Sequence, residues 1–224
     1  MMQYRTRIKV CGLTRLEDVH ATAAAGADAI GLVFYPKSAR CVSLEQARVL
    51  RQAMPALADV VALFVNAEPD HVRQVIEQVQ PDILQFHGDE SPDYCRQFGR
   101  RYMRAFRVGG PGLDTPENVR AACLEFPDAS AWLFDSYSAG YGGSGRSFDF
   151  ALLDVLRADQ NARPVVLAGG LNAQSVADAM ARLRPYAVDV SSGVEVSPGV
   201  KSPERVAEFI AAVGQADAAA RSSC

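Results

Sequence analysis

The chain has 224 residues, 49% of them apolar, and a formal net charge of −3 from 23 basic and 26 acidic side chains. That is globular composition, long enough to bury one substantial core. The absence of a basic block argues against a nucleic-acid surface, no apolar run could span a bilayer, and MMQYRTRIKV lacks a secretory leader, so a cytoplasmic protein is expected. The five cysteines (Cys11, Cys41, Cys95, Cys123 and Cys224) are odd in number and form no CxxC or zinc spacing. With three histidines and no HExxH, neither a disulfide framework nor a metal site is expected.

Short, continuously apolar runs alternate with amphipathic segments along the chain. The first run, 8–11, breaks at Gly12 and leads to Thr14-Arg-Leu-Glu17, a capping box in which two orphan backbone donors are satisfied reciprocally. Gly26 suits a left-handed helix end before the second run, 29–34. Ser43-Leu-Glu-Gln46 repeats the capping box ahead of runs at 60–65 and 83–86. Ser91-Pro92 and Thr115-Pro116 put a capping hydroxyl before a first-turn proline, on either side of the run at 103–108. Runs at 132–135, 165–168 and 187–190 follow, and Ser202-Pro203 opens the last helix. Strands without alternation are buried on both faces, as in a parallel sheet covered by helices. Eight such units predict a single (β/α)8 barrel over residues 1–213, with a flexible tail over 214–224. An open doubly wound sheet is the alternative topology.

In such a barrel the chemistry sits where strands end. Cys11 closes the first run and is either a small packing residue or a reactive thiol. The second run leads to FYPKSARCV, where Arg40 is either a carboxylate ligand or a solvated surface charge. The fourth ends LQFHGDE, pointing Gln85 or His87 into the mouth unless the histidine is a core residue. Asp135 follows Trp-Leu-Phe, whose burial would raise its pKa and suit a general acid; a loop-bonding aspartate is the other reading. The long glycine-rich stretch 136–147 has the character of a lid. Gly169 and Gly170 after run seven, and Ser191, Ser192 and Gly193 after run eight, expose backbone amides suited either to a phosphate or merely to tight turns.

Taken together, KVCGLTR (9–15), GLVFYPKSAR (31–40), LFVN (63–66), LQFHGDE (84–90), LFDS (133–136), YGGSGRSFDF (141–150), LAGGLNAQSV (167–176) and VDVSSGVEVSPGVKS (188–202) resemble the phosphoribosylanthranilate isomerase family. The resemblance covers nearly the whole chain in order; Ala39 and Cys41 depart from a pattern that often has proline and an aromatic residue there. It implies a (β/α)8 barrel that converts N-(5-phosphoribosyl)anthranilate to 1-(2-carboxyphenylamino)-1-deoxyribulose 5-phosphate in tryptophan biosynthesis, with no metal and no organic cofactor. By the same resemblance Cys11 is the general base and Asp135 the general acid. Arg40, facing the anthranilate carboxylate, binds substrate together with His87 and Asp189. Gly143, Ser144, Gly169, Gly170, Ser192 and Gly193 hold the 5-phosphate. Lys9 or nearby helix N-termini are the expected means of ionising the Cys11 thiol. The expected partner is the small sugar-phosphate substrate of a monomer, with no nucleic acid and no membrane. Other sugar-phosphate barrels, and a non-catalytic binder, would share the phosphate loops but not the Cys11–Asp135 pair.

Overall fold

Every apolar run becomes a strand of one closed parallel barrel, as seen in a computed structural model that describes residues 5–137, 148–157 and 159–222. The strands are β1 Arg7–Cys11, β2 Ala29–Val33, β3 Asp59–Phe64, β4 Ile83–Phe86, β5 Tyr102–Val108, β6 Ala131–Ser136, β7 Val165–Leu167 and β8 Ala187–Val190. β8 pairs with β1 to close the ring, Lys9 lying opposite Asp189. Around it stand α1 Leu16–Ala25, α2 Leu44–Gln52, α3 Pro69–Val79, α4 Pro92–Arg96, α5 Pro116–Leu124, α6 Val176–Leu183 and α7 Pro203–Ser222.

Side chains alternate between two cores. Val61, Met103, Leu133 and Val166 fill the barrel, whereas Phe64, Phe86, Phe106, Trp132 and Phe134 pack outward under the helices. Phe34 stacks on Phe64 at 5.6 Å and Phe106 on Phe134 at 5.6 Å, so aromatic faces bind neighbouring strands from outside. Each such ring withdrawn from water contributes about 1.5–3 kcal/mol.

Most helix signals hold. Ser43, Ser91 and Thr115 accept hydrogen bonds from the N–H groups of Gln46, Tyr94 and Asn118, each cap worth about 1 kcal/mol. Gly26 ends α1 at φ 97°. Thr14 does not cap α1: its hydroxyl donates to the carbonyl of Gly199 at 2.6 Å, and Arg15 holds the capping position without a side-chain bond. Where a sixth α-helix is expected, Phe150–Leu156 winds as a 3-10 helix, entered through Asp149, which accepts from the Ala151 N–H. At about 2.0 Å per residue it spans further than seven α-helical residues would, bridging α5 and α6.

The expected tail is also corrected in part. α7 runs on to Ser222, and Asp217 accepts from both the Thr6 N–H and the Thr6 hydroxyl at 2.8 Å, tying the helix beneath β1. A short hairpin, β9 Glu195–Ser197 and β10 Val200–Lys201, stands between β8 and α7 and turns at Gly199, φ 82°.

Candidate active site

A cavity open to solvent occupies the carboxyl end of the barrel. Cys11, Arg40, Gln85, His87, Asp135 and Asp189 reach it from four strand ends and the loop after β2.

Cys11 is the last residue of β1 and lies opposite Gly31 of β2. A side chain at Gly31 would put its Cβ 2.6 Å from the Cys11 sulfur, so the glycine leaves the thiol its room. The thiol is buried, with Val33, Leu63 and Val65 around it. Burial pushes the Cys11 pKa above its ordinary value, and Asp189 adds to the rise, while the ammonium groups of Lys9 and Lys201 pull against it. Lys9 therefore points into the barrel beneath Cys11 rather than into its wall, and burial outweighs its pull on the thiol. Its Nζ donates to Asp189 Oδ2 at 2.9 Å. Burial disfavours this ammonium, yet Asp189 and Cys11 overcome the penalty and hold its pKa above the ordinary lysine value.

Asp135 leaves the opposite side of the ring. Because the strand alternates, Trp132 and Phe134 face the helices, and of the apolar run only Leu133 turns into the barrel on the face that carries Asp135. Its Oδ2 lies 3.3 Å from His87 Nε2, and its Oδ1 accepts from the Ser136 N–H at 2.8 Å. Gln85 Nε2 approaches His87 Nδ1 at 3.0 Å; with the amide as donor there, the ring proton is on Nε2, facing Asp135. His87 is thus a member of the mouth. Asp189 Oδ1 and Gln85 Oε1, both buried and in residues that line the cavity, have no hydrogen-bond partner.

The two glycine loops meet where they were expected to. Gly169 and Gly170 take left-handed φ values of 82° and 68°, and both line the cavity with Ser191 and Ser192. Among the described residues, the N–H groups of Gly169, Gly170 and Ser192 donate to no protein acceptor, which leaves them open to an anion. Gly193 stands behind this wall: a Cβ there would strike the Leu171 carbonyl, so its role is close packing of one loop on the other. Gly143 and Ser144 lie outside the described residues, as does Cys224.

Arg40 enters the same mouth, but not as a free charge. Its Nε and Nη2 donate to the Glu195 carboxylate at 2.8 and 2.6 Å. A profile described as N-(5'-phosphoribosyl)anthranilate isomerase matches residues 8–212. The chain belongs to this family. A relative of that name from Bordetella parapertussis is 57% identical over 217 residues, 97% of this chain and 100% of the relative. The crystal structure of phosphoribosyl anthranilate isomerase from Thermotoga maritima superposes with a TM-score of 0.84 at 38% identity, covering 94% of this chain and 99% of that one. A second solved structure, the isomerase in complex with reduced 1-(o-carboxyphenylamino)-1-deoxyribulose 5-phosphate, gives 0.81 at 35% identity, covering 94% and 99%.

As a phosphoribosylanthranilate isomerase, the chain catalyses the Amadori step of tryptophan biosynthesis on the barrel the resemblance implied. Nine of the eleven site residues expected from the sequence fall within the described residues, and all but Gly193 of those line one cavity. Sequence reasoning missed Glu195 and Lys201. Their signal was present only as two charges flanking a Pro-Gly turn, with nothing local to name Arg40 or Cys11 as their partners.

Proposed function

We propose that Cys11 and Asp135 divide the proton transfers of this isomerisation while Arg40 and the glycine loops fix the two ends of the substrate. In its protonated form Asp135 gives a proton to the ribose ring oxygen as the C1–O bond breaks, leaving a protonated Schiff base. The Cys11 thiolate then takes the acidified C2 proton, giving an enolamine. Protonation at C1 and loss of the C2 hydroxyl proton deliver the ketone. Arg40 pairs with the anthranilate carboxylate, and the amides of Gly169, Gly170 and Ser192 receive the 5-phosphate. The supporting observation is that a thiol and a carboxyl enter one cavity from well-separated strands, with bare amides at its rim.

The ammonium of Lys9, itself held charged by Asp189, offsets part of the burial penalty on the thiolate. His87 steadies the Asp135 carboxyl, and the unpaired Asp189 Oδ1, in a residue that lines the cavity, is free to accept from a substrate hydroxyl. Every group named here belongs to one chain, which supports a monomer, and the biosynthetic role of its relatives supports a cytoplasmic address.

The test uses fresh phosphoribosylanthranilate and follows loss of its anilino fluorescence. Cys11→Ala and Asp135→Asn should each lower turnover by about 10²–10⁴-fold, the usual worth of a positioned acid or base, while still binding the reduced product analogue. Near-normal turnover in either variant would remove that residue from its role.

A further inference from the structure

We propose that Glu195 and Lys201, carried on the β9–β10 hairpin, are positioning residues: they fix the edge of Arg40 that reads the substrate carboxylate and couple it to the strand end bearing Cys11. This rests on the roles given above to Arg40 and Cys11.

Glu195 Oε2 accepts from Arg40 Nη2, and its Oε1 accepts from Arg40 Nε, from Lys201 Nζ at 2.8 Å and from the Gly199 N–H at 3.2 Å. Lys201 Nζ donates in turn to the Cys11 carbonyl at 2.6 Å and the Ser191 carbonyl at 3.1 Å. One carboxylate therefore joins the arginine at the mouth to the backbone on which the thiol stands. Gly12, φ 78°, completes the seat, since a Cβ there would collide with the Arg40 side chain. Arg205 anchors the hairpin by donating to the Glu195 carbonyl.

The geometry selects one face of the guanidinium. Of its five N–H donors, the Nε and one Nη2 hydrogen are committed to Glu195, leaving the Nη1–Nη2 edge, which matches a second carboxylate in two parallel bonds. Burying one anion and two cations is costly, and apolar side chains of like volume often serve stability as well. A charged cluster whose members reach both the reader and the base is explained by what it aligns. Arg40 and Lys201 outweigh burial and hold the Glu195 pKa below its ordinary value, so the pair persists at neutral pH.

The experiment is steady-state kinetics of Glu195→Gln, Lys201→Met, Arg40→Ala and the Glu195→Gln/Arg40→Ala pair. Each is assayed on phosphoribosylanthranilate and on phosphoribosylaniline, which lacks the carboxylate, with melting curves alongside. Glu195→Gln should raise KM for the anthranilate substrate about 10-fold through a displaced guanidinium, and change the aniline kinetics by less than about 2-fold. In the Arg40→Ala background its effect should vanish. Lys201→Met should lower kcat on both substrates by about 10-fold, because it supports the Cys11 strand end. If Glu195→Gln melts early, Glu195→Asp keeps both cations paired while withdrawing the carboxylate by one methylene, and should show the same selective rise in KM.

Equal losses on both substrates, or costs that add to those of Arg40→Ala, would mean a structural role and overturn the proposal alone. A lower KM in Glu195→Gln would mean that Glu195 competes with substrate for Arg40, and also overturns it. An Arg40→Ala variant indifferent to the carboxylate overturns the Arg40 assignment and the proposal with it.

Discussion

The sulfur of Cys11 occupies the space that a side chain at Gly31 would take, its neighbour across the β1–β2 ladder. Gly31 has an ordinary strand conformation, so the constraint is room at the thiol and not backbone freedom. Gly31→Ala should therefore move the thiol without breaking the ladder. We expect kcat/KM to fall by about 10²-fold, the cost of a misplacement near 1 Å, with far-UV circular dichroism unchanged. A fully active Gly31→Ala variant would show that the base has latitude this packing denies it.

The pH dependence follows from the buried thiol. Its folded pKa lies above the ordinary value of 9.0, so the rate limb that reports thiolate should still be climbing at that pH. Lys9 pulls the value down, so Lys9→Met should carry the limb further into alkali and lower the rate at neutral pH. A limb that stays put in Lys9→Met would dismiss the ammonium as the thiol's partner.

Glu195 makes a matching statement about stability in acid. Its folded pKa is held below the ordinary 4.5, because Arg40 and Lys201 outweigh burial. Above 4.5 both folded and unfolded chains carry the carboxylate, and its contribution is complete. As pH falls below 4.5 the unfolded chain binds the proton first, and that contribution is lost through the folded pKa. Urea unfolding should show the stability gap between parent and Glu195→Gln narrowing as pH drops from about 7 toward 3. A gap independent of pH would contradict the shift.

At the other end of the barrel, Asp217 accepts two hydrogen bonds from the buried Thr6. Asp217→Ala should cost about 1–2 kcal/mol in urea unfolding, since it strands a backbone donor. Turnover should be unchanged, because nothing at this rim touches the cavity. A loss of kcat with intact stability would refute that separation.

The barrel was legible because both faces of most strands are buried, which writes mainly apolar runs into the chain. The site was legible where a residue ends a run: Cys11, His87 and Asp135 each sit at that boundary, and the glycine loops follow it. Two readings failed for one reason, that they used neighbours in sequence as neighbours in space. Thr14 looked like a cap, yet Gly199 takes its hydroxyl. Trp132 and Phe134 looked like the surroundings of Asp135, yet alternation turns them to the helices. Arg40 was read as either a ligand or a surface charge, and nothing local pointed to Glu195, 155 positions away, as its partner. The continuation of α7 was hidden similarly, its last turns being tied by Thr6 at the far end of the chain.

The contacts around Cys11 join points 180 and 190 positions apart: Lys9 with Asp189, and the Cys11 carbonyl with Lys201. During synthesis the thiol emerges almost at once, but its surroundings are translated last. Until the final quarter of the chain docks, Cys11 stands on a strand with one edge unpaired, open to electrophiles and oxidants. Catalytic competence and shelter of the thiol thus arrive in the same event, the closing of β8 on β1. Recovery of activity during refolding is therefore a direct clock for ring closure.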